Sequence, residues 1–465
     1  MLGTIIAREI RHNFLSLRFH ISFIITLMVF GFGTIAFLAN YKAGMEEYTK
    51  YQNELRSTIQ GTVEKNLTTL AVKRQDFILK PRANAFITGS KEKYIPNSIT
   101  FSAFNVFEFE ARKGSTNPYL NLFQELDWGF IVSIILSFTV FLFTFNSISG
   151  EKETRTLAVS LANSVSRGTL LIGKYLSTIV TALFIVIPGL CLSLIILLFS
   201  GVISISPATI LEILGFILAS GIFVSCIAAF GLLSSVMVKN SDVSLLIALI
   251  MWVLFVVIIP NSAIFLSQTI YPIDNSDTIN EKMQSAKDAI EKNAPDGRWS
   301  MMHDQPFFKF HQIRATHQTN LMNSDMQILN AYYHDMFRQL EHARLLTYIS
   351  PVSLFEYLCE ADVGGGYVRF QHVWDGLHAY QIQFLTFFKE KDAQDKNSPH
   401  WYNPREDVST TRKPVKFEEV PVFQEKVLTY GERFARVYPY GVVILLYTAV
   451  VFSLTFVLFI RYDVR

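Results

Sequence analysis

The sequence is short of cysteine, with three in 465 residues. Three thiols cannot build a disulfide framework, so any part of the chain outside the membrane must stand on its apolar core. Cys191 and Cys226 sit in apolar runs, where a free thiol behaves as a small hydrophobe, and Cys359 has no partner in its own region. Charge is scarce as well: 17% of residues are charged and the formal net charge is +2. There is no basic stripe or recognition motif, which argues against nucleic acid as a partner. A usable nucleotide site is also missing. Gly168-Thr169-Leu170-Leu171-Ile172-Gly173-Lys174-Tyr175 nearly spells a phosphate-binding loop, but Tyr175 replaces the hydroxyl that should hold magnesium. The stretch also opens an apolar run. The chain is therefore expected to carry no catalytic residue and no cofactor of its own, and not to hydrolyse ATP by itself.

Most of the ten histidines crowd the stretch from His303 to His400, near Met301, Met302 and Cys359, which brings copper or zinc to mind. No two of them have the three- or four-residue spacing that puts two ligands on one helix face. The expectation is scattered surface and core histidines and no metal.

What the sequence has in abundance is apolar residues in blocks, half of the total. A membrane helix needs roughly 20 apolar residues. Six runs meet that length: Ile21 to Ala39, Trp128 to Ile148, Tyr175 to Ser200, Ile213 to Val238, Val243 to Leu266, and Val437 to Ile460. The first is too long for a signal-peptide core and reads as an uncleaved anchor. Arg8, Arg11, Arg18, Lys152, Arg155, Arg167, Lys174, Lys239, Arg461 and Arg465 all fall on one side of these spans. By the positive-inside rule that side, with both termini, is cytoplasmic. The fold class expected is an all-α polytopic membrane protein with six transmembrane helices. Two mainly α extracytoplasmic domains, 40–126 and 267–436, complete it, the first with some β. Residues 1–20 form a cytoplasmic interface helix, 149–174 a cytoplasmic connector and 461–465 a tail.

Leu2, Ile6, Ile10, Phe14 and Leu17 fall on one helical face, with Arg8, Arg11, His12 and Arg18 on the other side and at the junction. Such a helix lies in the membrane interface, either as a topogenic segment alone or as a docking surface. In the first outer region, Met45 to Leu70 carries a helical stripe interrupted by Gly61, and Phe107, Phe109 and Ala111 alternate as in a strand. About 85 residues make a small core, so this region is expected to pack on the other outer domain. In the second, Met322 to Leu340 and Phe370 to Phe388 form helical faces, for core packing or for a lipid- or substrate-contacting groove. Ser350-Pro351 ends the first of these helices, and Gly364-Gly365-Gly366 is a hinge or tight turn.

The spans contain almost no ionisable residue, Glu212 at the outer end of the fourth excepted. Ion-coupled transporters carry buried acids or bases, so the driving energy is expected to enter from outside the membrane. The connector is where it could enter. Ser149 is a candidate N-cap for Gly150-Glu151-Lys152-Glu153, and Ser164 to Arg167 marks a break. A short helix fixed between two spans transmits a push; the alternative is an ordinary charged loop.

Ile148-Ser149-Gly150-Glu151-Lys152-Glu153, Thr156-Leu157, Ser166-Arg167 and Gly173-Lys174-Tyr175 together resemble the signature of the exporter-class permeases of ABC transporters. Arg155 stands where that signature has glycine, and Ser164 where it often has proline. Lys80-Pro81, Gly89, Pro96, Asn117-Pro118 and Asp127-Trp128, then Pro351 and Ser353-Leu354-Phe355, resemble a bacterial subfamily with large insertions after the first and fifth spans. The resemblance implies a permease subunit in the bacterial inner membrane. It would pair with a second permease, identical or homologous, and bind a cytoplasmic ABC ATPase dimer that holds the ATP and magnesium. Membrane lipid and a periplasmic protein are further partners it suggests. Gly150, Glu151, Lys152, Glu153, Thr156, Leu157, Ser166 and Arg167 would form the ATPase-coupling element, with Glu151 and Glu153 facing the ATPase. Ile6, Ile10 and Phe14 would form the interface helix.

Overall fold

The computed structural model describes residues 2–63, 67, 70, 73–89, 97–102, 108–110, 126–162, 165–294, 307–398, 400, 411 and 413–462. Among the described residues, six helices are long and apolar enough to cross a membrane: Leu17–Val63, Trp128–Glu153, Arg167–Phe199, Pro207–Met237, Ser241–Ile270 and Tyr430–Arg461. They are called the first to sixth spans below. Polar side chains start several of them by accepting the free N–H groups of the first turn. Ser166 does this for the third, Ser206 before Pro207 for the fourth, Asn240 for the fifth, and a Thr429–Glu432 capping box for the sixth.

The helix of the first span does not stop at Ala39. Leu17–Val63 is one helix of 47 residues. At 1.5 Å per residue it runs about 70 Å, more than twice a bilayer's hydrocarbon thickness. The helix therefore runs on beyond the apolar run, because nothing in the sequence there breaks it. Gly61 does not break it either. The outer half of this helix buries Leu55, Ile59 and Val63 in a core shared with Phe77, Ile99 and Phe101 and with Val373, Leu377, Tyr380, Phe384 and Phe388. Each insertion thus completes the other, as the small size of the first required. Strands β1 (Gln75–Ile78), β2 (Ser98–Phe101) and β3 (Glu108–Glu110) form an antiparallel sheet in that order, with Ile99 opposite Phe77 and Phe109. Phe107 and Ala111 of the expected alternation lie outside the described residues, as do Pro96 and Asn117-Pro118.

The second insertion is not wholly outside the bundle. After the helices Ser276–Lys292 and Phe307–Leu346 comes a twelve-residue helix, Pro351–Asp362, then the helix Gly366–Ala393. Leu354 and Phe355 of the short helix are fully buried in the same core as Phe30, Trp128 and Phe223 of the spans. Phe355 stacks on Phe223 at 4.5 Å between ring centres, and its cap residue Ser350 donates to the Phe255 carbonyl of the fifth span. An aromatic pair of this kind adds about 1 kcal/mol beyond its burial. Part of the range 267–436 therefore packs inside the bundle. Its apolar Pro-Val-Ser-Leu-Phe segment is too short to register as a span, yet it packs among them. Gly364 and Gly366 adopt φ of +63° and +56°, so the three glycines make a tight turn. A side chain at Gly364 would also press on Arg433.

Candidate functional site: the connector and its anchors

The connector is two short helices, Ser149–Glu153 and Thr156–Ala162, ahead of the third span. Ser149 is not the cap expected from sequence. It is fully buried, and its side chain donates to the Phe145 carbonyl one turn back. Its N–H and that of Ile148 both donate to Ser235 Oγ of the fourth span, each at 2.9 Å. Ser235 thus satisfies two backbone N–H groups at the start of this helix.

Glu151, Lys152, Glu153 and Arg167 are each tied to the bundle. Glu151 Oε1 lies 2.8 Å from Lys174 Nζ, and Lys174, only 3% exposed on the third span, also reaches Glu9 of the interface helix at 3.2 Å. Lys152 Nζ donates to the Val236 and Val238 carbonyls at the end of the fourth span and lies 4.3 Å from the Tyr462 ring centre. Glu153 accepts the Ser241 N–H at the start of the fifth span, where the helix dipole favours a carboxylate. Arg167 donates to the Phe459, Ile460 and Tyr462 carbonyls at the end of the sixth. Glu151 therefore turns inward instead of outward, because the buried ammonium of Lys174 needs a counter-charge. Glu153, though exposed, is held by Ser241.

Leu157 is buried between Ile148, Leu171, Val236 and Phe459 and pins the second short helix to the bundle. Thr156 bonds Thr154 through its hydroxyl, and Ser166 caps the third span through the Thr169 N–H. Gly150 has ordinary contact distances around its missing side chain, so space does not demand glycine there. Arg155 follows the first short helix with φ +58°, the left-handed conformation that favours glycine at a helix C-terminus. The backbone thus accounts for the glycine of the related signature. Ser164 lies outside the described residues. Arg155, Thr156 and Val159 face outward, Val159 with 64% of its surface exposed.

The interface helix is Leu2–Phe14, and the first span begins at Leu17. Its packed line is rotated from the apolar stripe read in the sequence. Ile5 closes on Gly173, Glu9 on Lys174, Asn13 donates to Thr181, and Phe14 meets Phe184 edge-on. Ile6 and Ile10 are half-buried, and Leu2 and Leu17 are exposed. Glu9 was missed in the sequence reading; the available signal was one acid on an otherwise basic and apolar helix. The phosphate-loop look-alike lies on the third span as continuous helix, with Lys174 engaged by carboxylates.

Among the described residues the histidines are dispersed. His317 pairs with Glu291, His342 stacks on Tyr271, His378 bonds the Trp374 carbonyl and Asn330, and His400 meets Asp392. Met301, Met302 and His303 lie outside the described residues.

Residues 4–464 match the model of the ABC-2 family transporter proteins. The chain belongs to the ABC-2 transporter family. A search of curated proteins returned no match. An ABC-2 permease is a multi-pass membrane transport subunit, and membership implies association with an ABC ATPase.

At the end of this permease opposite the connector lies a second charged cluster. Arg433 of the sixth span donates to Glu212 of the fourth at 2.6 Å and to the Asp362 carbonyl at 3.1 Å. All three side chains are buried. Burial, with the nearby Glu212 charge, pushes the Asp362 carboxyl up to about 7 against the pull of Arg433. Of the three only Glu212 is legible in the sequence, since its partners lie far away in the chain.

Proposed function

We propose that this ABC-2 permease is the transmembrane subunit of an ATP-driven export complex in a bacterial cytoplasmic membrane. The connector end, rich in Lys and Arg, faces the cytoplasm with both termini, and the two insertions face outward. A separate ABC ATPase dimer holds the ATP and magnesium, and a second permease chain, identical or homologous, completes the complex. The observation that carries this reading is the anchoring of the connector. Its residues hold the third span through Lys174, the fourth through Lys152, the fifth through Glu153 and the sixth through Arg167. A push on Arg155, Thr156 and Val159 therefore reaches four spans and the interface helix at once. Glu151, Lys152, Glu153, Leu157 and Ser166 act by anchoring the coupling element, and the outward residues supply its contact with the ATPase.

A second reading draws on the first span. Its helix continues into the core of the insertions without a break. Motion at the cytoplasmic end could thus be delivered to a periplasmic protein held by the insertions, with no substrate crossing.

Purification of the tagged chain from its host in mild detergent, with mass spectrometry of what accompanies it, tests the energy source. A stoichiometric ABC ATPase is expected, and Val159→Asp should release it while leaving the permease folded. A well-folded permease without an ATPase would sink the motor reading. A lipid or peptide whose export stops on deletion would favour export over mechanical transmission.

A further inference from the structure

Two cavities sit at the insertion end of the bundle. The larger, about 710 Å³, lies between the outer half of the first-span helix, the starts of the fourth and sixth spans, and the 422–428 segment. Five cations line it, Lys80, Arg82, Arg369, Lys426 and Arg433, against two carboxylates, Glu212 and Glu425. Glu212 is engaged by Arg433, and Glu425 by a two-pronged bond from Arg369. Lys80 and Lys426 add positive charge to the wall. Arg433 is only 6% exposed, and its Nε has no hydrogen-bond partner among the described residues. A buried guanidinium N–H on the wall of a cationic cavity suits an acidic oxygen.

The smaller cavity, about 260 Å³, adjoins the first and shares the wall from Leu79 to Arg82 together with Tyr41 and Arg369. Away from that wall it is lined by Phe37, Phe86, Trp128 and Phe370, with Gly33 and Ala36 of the first span as floor. Phe32 and Ile35, beside that floor, point outward with 67% and 56% of their surface exposed, as lipid-facing residues do. One end of the joined space is thus aromatic and level with the membrane-facing part of the first span. The other is cationic and lies among the insertions. Amphiphiles have the matching polarity, and pockets of this size take drug-sized or larger ligands.

We propose that the two cavities form one binding site for an anionic amphiphile drawn from the membrane, with its acidic headgroup among Lys80, Lys426 and Arg433 and its apolar part against Phe37, Phe86 and Trp128. As a substrate class this rests on the reading of the chain as an export permease; as a binding site it does not.

The test uses the full chain in detergent, given equal amounts of phosphatidylglycerol and phosphatidylcholine, desalted, and assayed for retained lipid by mass spectrometry. Wild type is expected to retain the anionic lipid about tenfold over the zwitterionic one. The double variant Lys80→Glu/Lys426→Glu changes two exposed side chains and should abolish that preference. Ala36→Trp, which fills the aromatic end, should lower retention of both lipids. Millimolar inorganic phosphate should leave retention unchanged. Equal retention of the two lipids by wild type overturns the proposal, as does a charge-reversed variant that keeps the preference. Displacement of the lipid by phosphate would also overturn it, by showing a site for a soluble anion. If Ala36→Trp does not stay monodisperse, the charge-reversed variant decides alone. No ATPase is needed, so a permease that selects anionic lipid but recruits no ATPase refutes only the motor reading. One that recruits the ATPase but selects no lipid refutes only this site.

Discussion

Lys174 Nζ lies 2.8 Å from Glu151 Oε1, on a side chain that is 3% exposed. With Glu9 at 3.2 Å on the other side, this lysine joins the interface helix, the connector and the third span. Removing one partner of such a buried set leaves the others as uncompensated charges. Lys174→Met is expected to cost about 3–5 kcal/mol. The triple variant Lys174→Met/Glu9→Gln/Glu151→Gln should recover much of that loss. Thermal unfolding in detergent checks the stability, and coupled ATPase activity of the assembled complex checks the function. A single variant as stable as wild type would remove the triad from the account.

Arg155 holds a left-handed backbone conformation with its side chain exposed. Arg155→Gly should therefore stabilise the connector by about 1 kcal/mol, seen as a rise in Tm. A fall in Tm would mean that the guanidinium makes contacts worth more than the backbone strain.

Burial raises the Asp362 carboxyl from an ordinary 3.8 to about 7. The folded protein therefore holds this proton more tightly than the unfolded chain does. The stabilisation is fully present below about pH 4 and is lost as pH rises through 7. Tm of the wild type is expected to fall between pH 5 and pH 8 by more than that of Asp362→Asn, which has no proton to lose. Parallel curves for the two proteins would refute the assignment.

Phe30 of the first span is fully buried against Gly189 of the third, so closely that a side chain at 189 would enter the ring. Gly189→Ala should destabilise the pair of spans by about 1–3 kcal/mol. Phe30→Leu in the same chain should recover part of the loss. Additive effects of the two changes would show that the residues do not share the space.

The six spans were legible because each is an uninterrupted apolar block whose length alone separates it from a core helix. The connector was legible as a compact charged patch between two such blocks. The direction of its charges was not. Glu151 and Glu153 look like an outward-facing acidic pair until Lys174 and the Ser241 N–H, far along the chain, are placed beside them. Arg433 and Asp362 were hidden for the same reason. The interface helix was found from its periodicity, yet its packed line is set by Gly173 and Lys174 on another helix. The short Pro351–Asp362 helix gave no span signal, because being buried on all sides requires no particular length.

That short helix also sets a schedule. Phe216 and Phe223 of the fourth span pack on Phe355, which leaves the ribosome roughly 130 residues later, a delay on the order of ten seconds at ordinary elongation rates. During that interval the inner faces of the early spans must be covered by lipid or by an insertion factor. Truncation between residues 270 and 351 would leave five spans without the helix that fills the space among them.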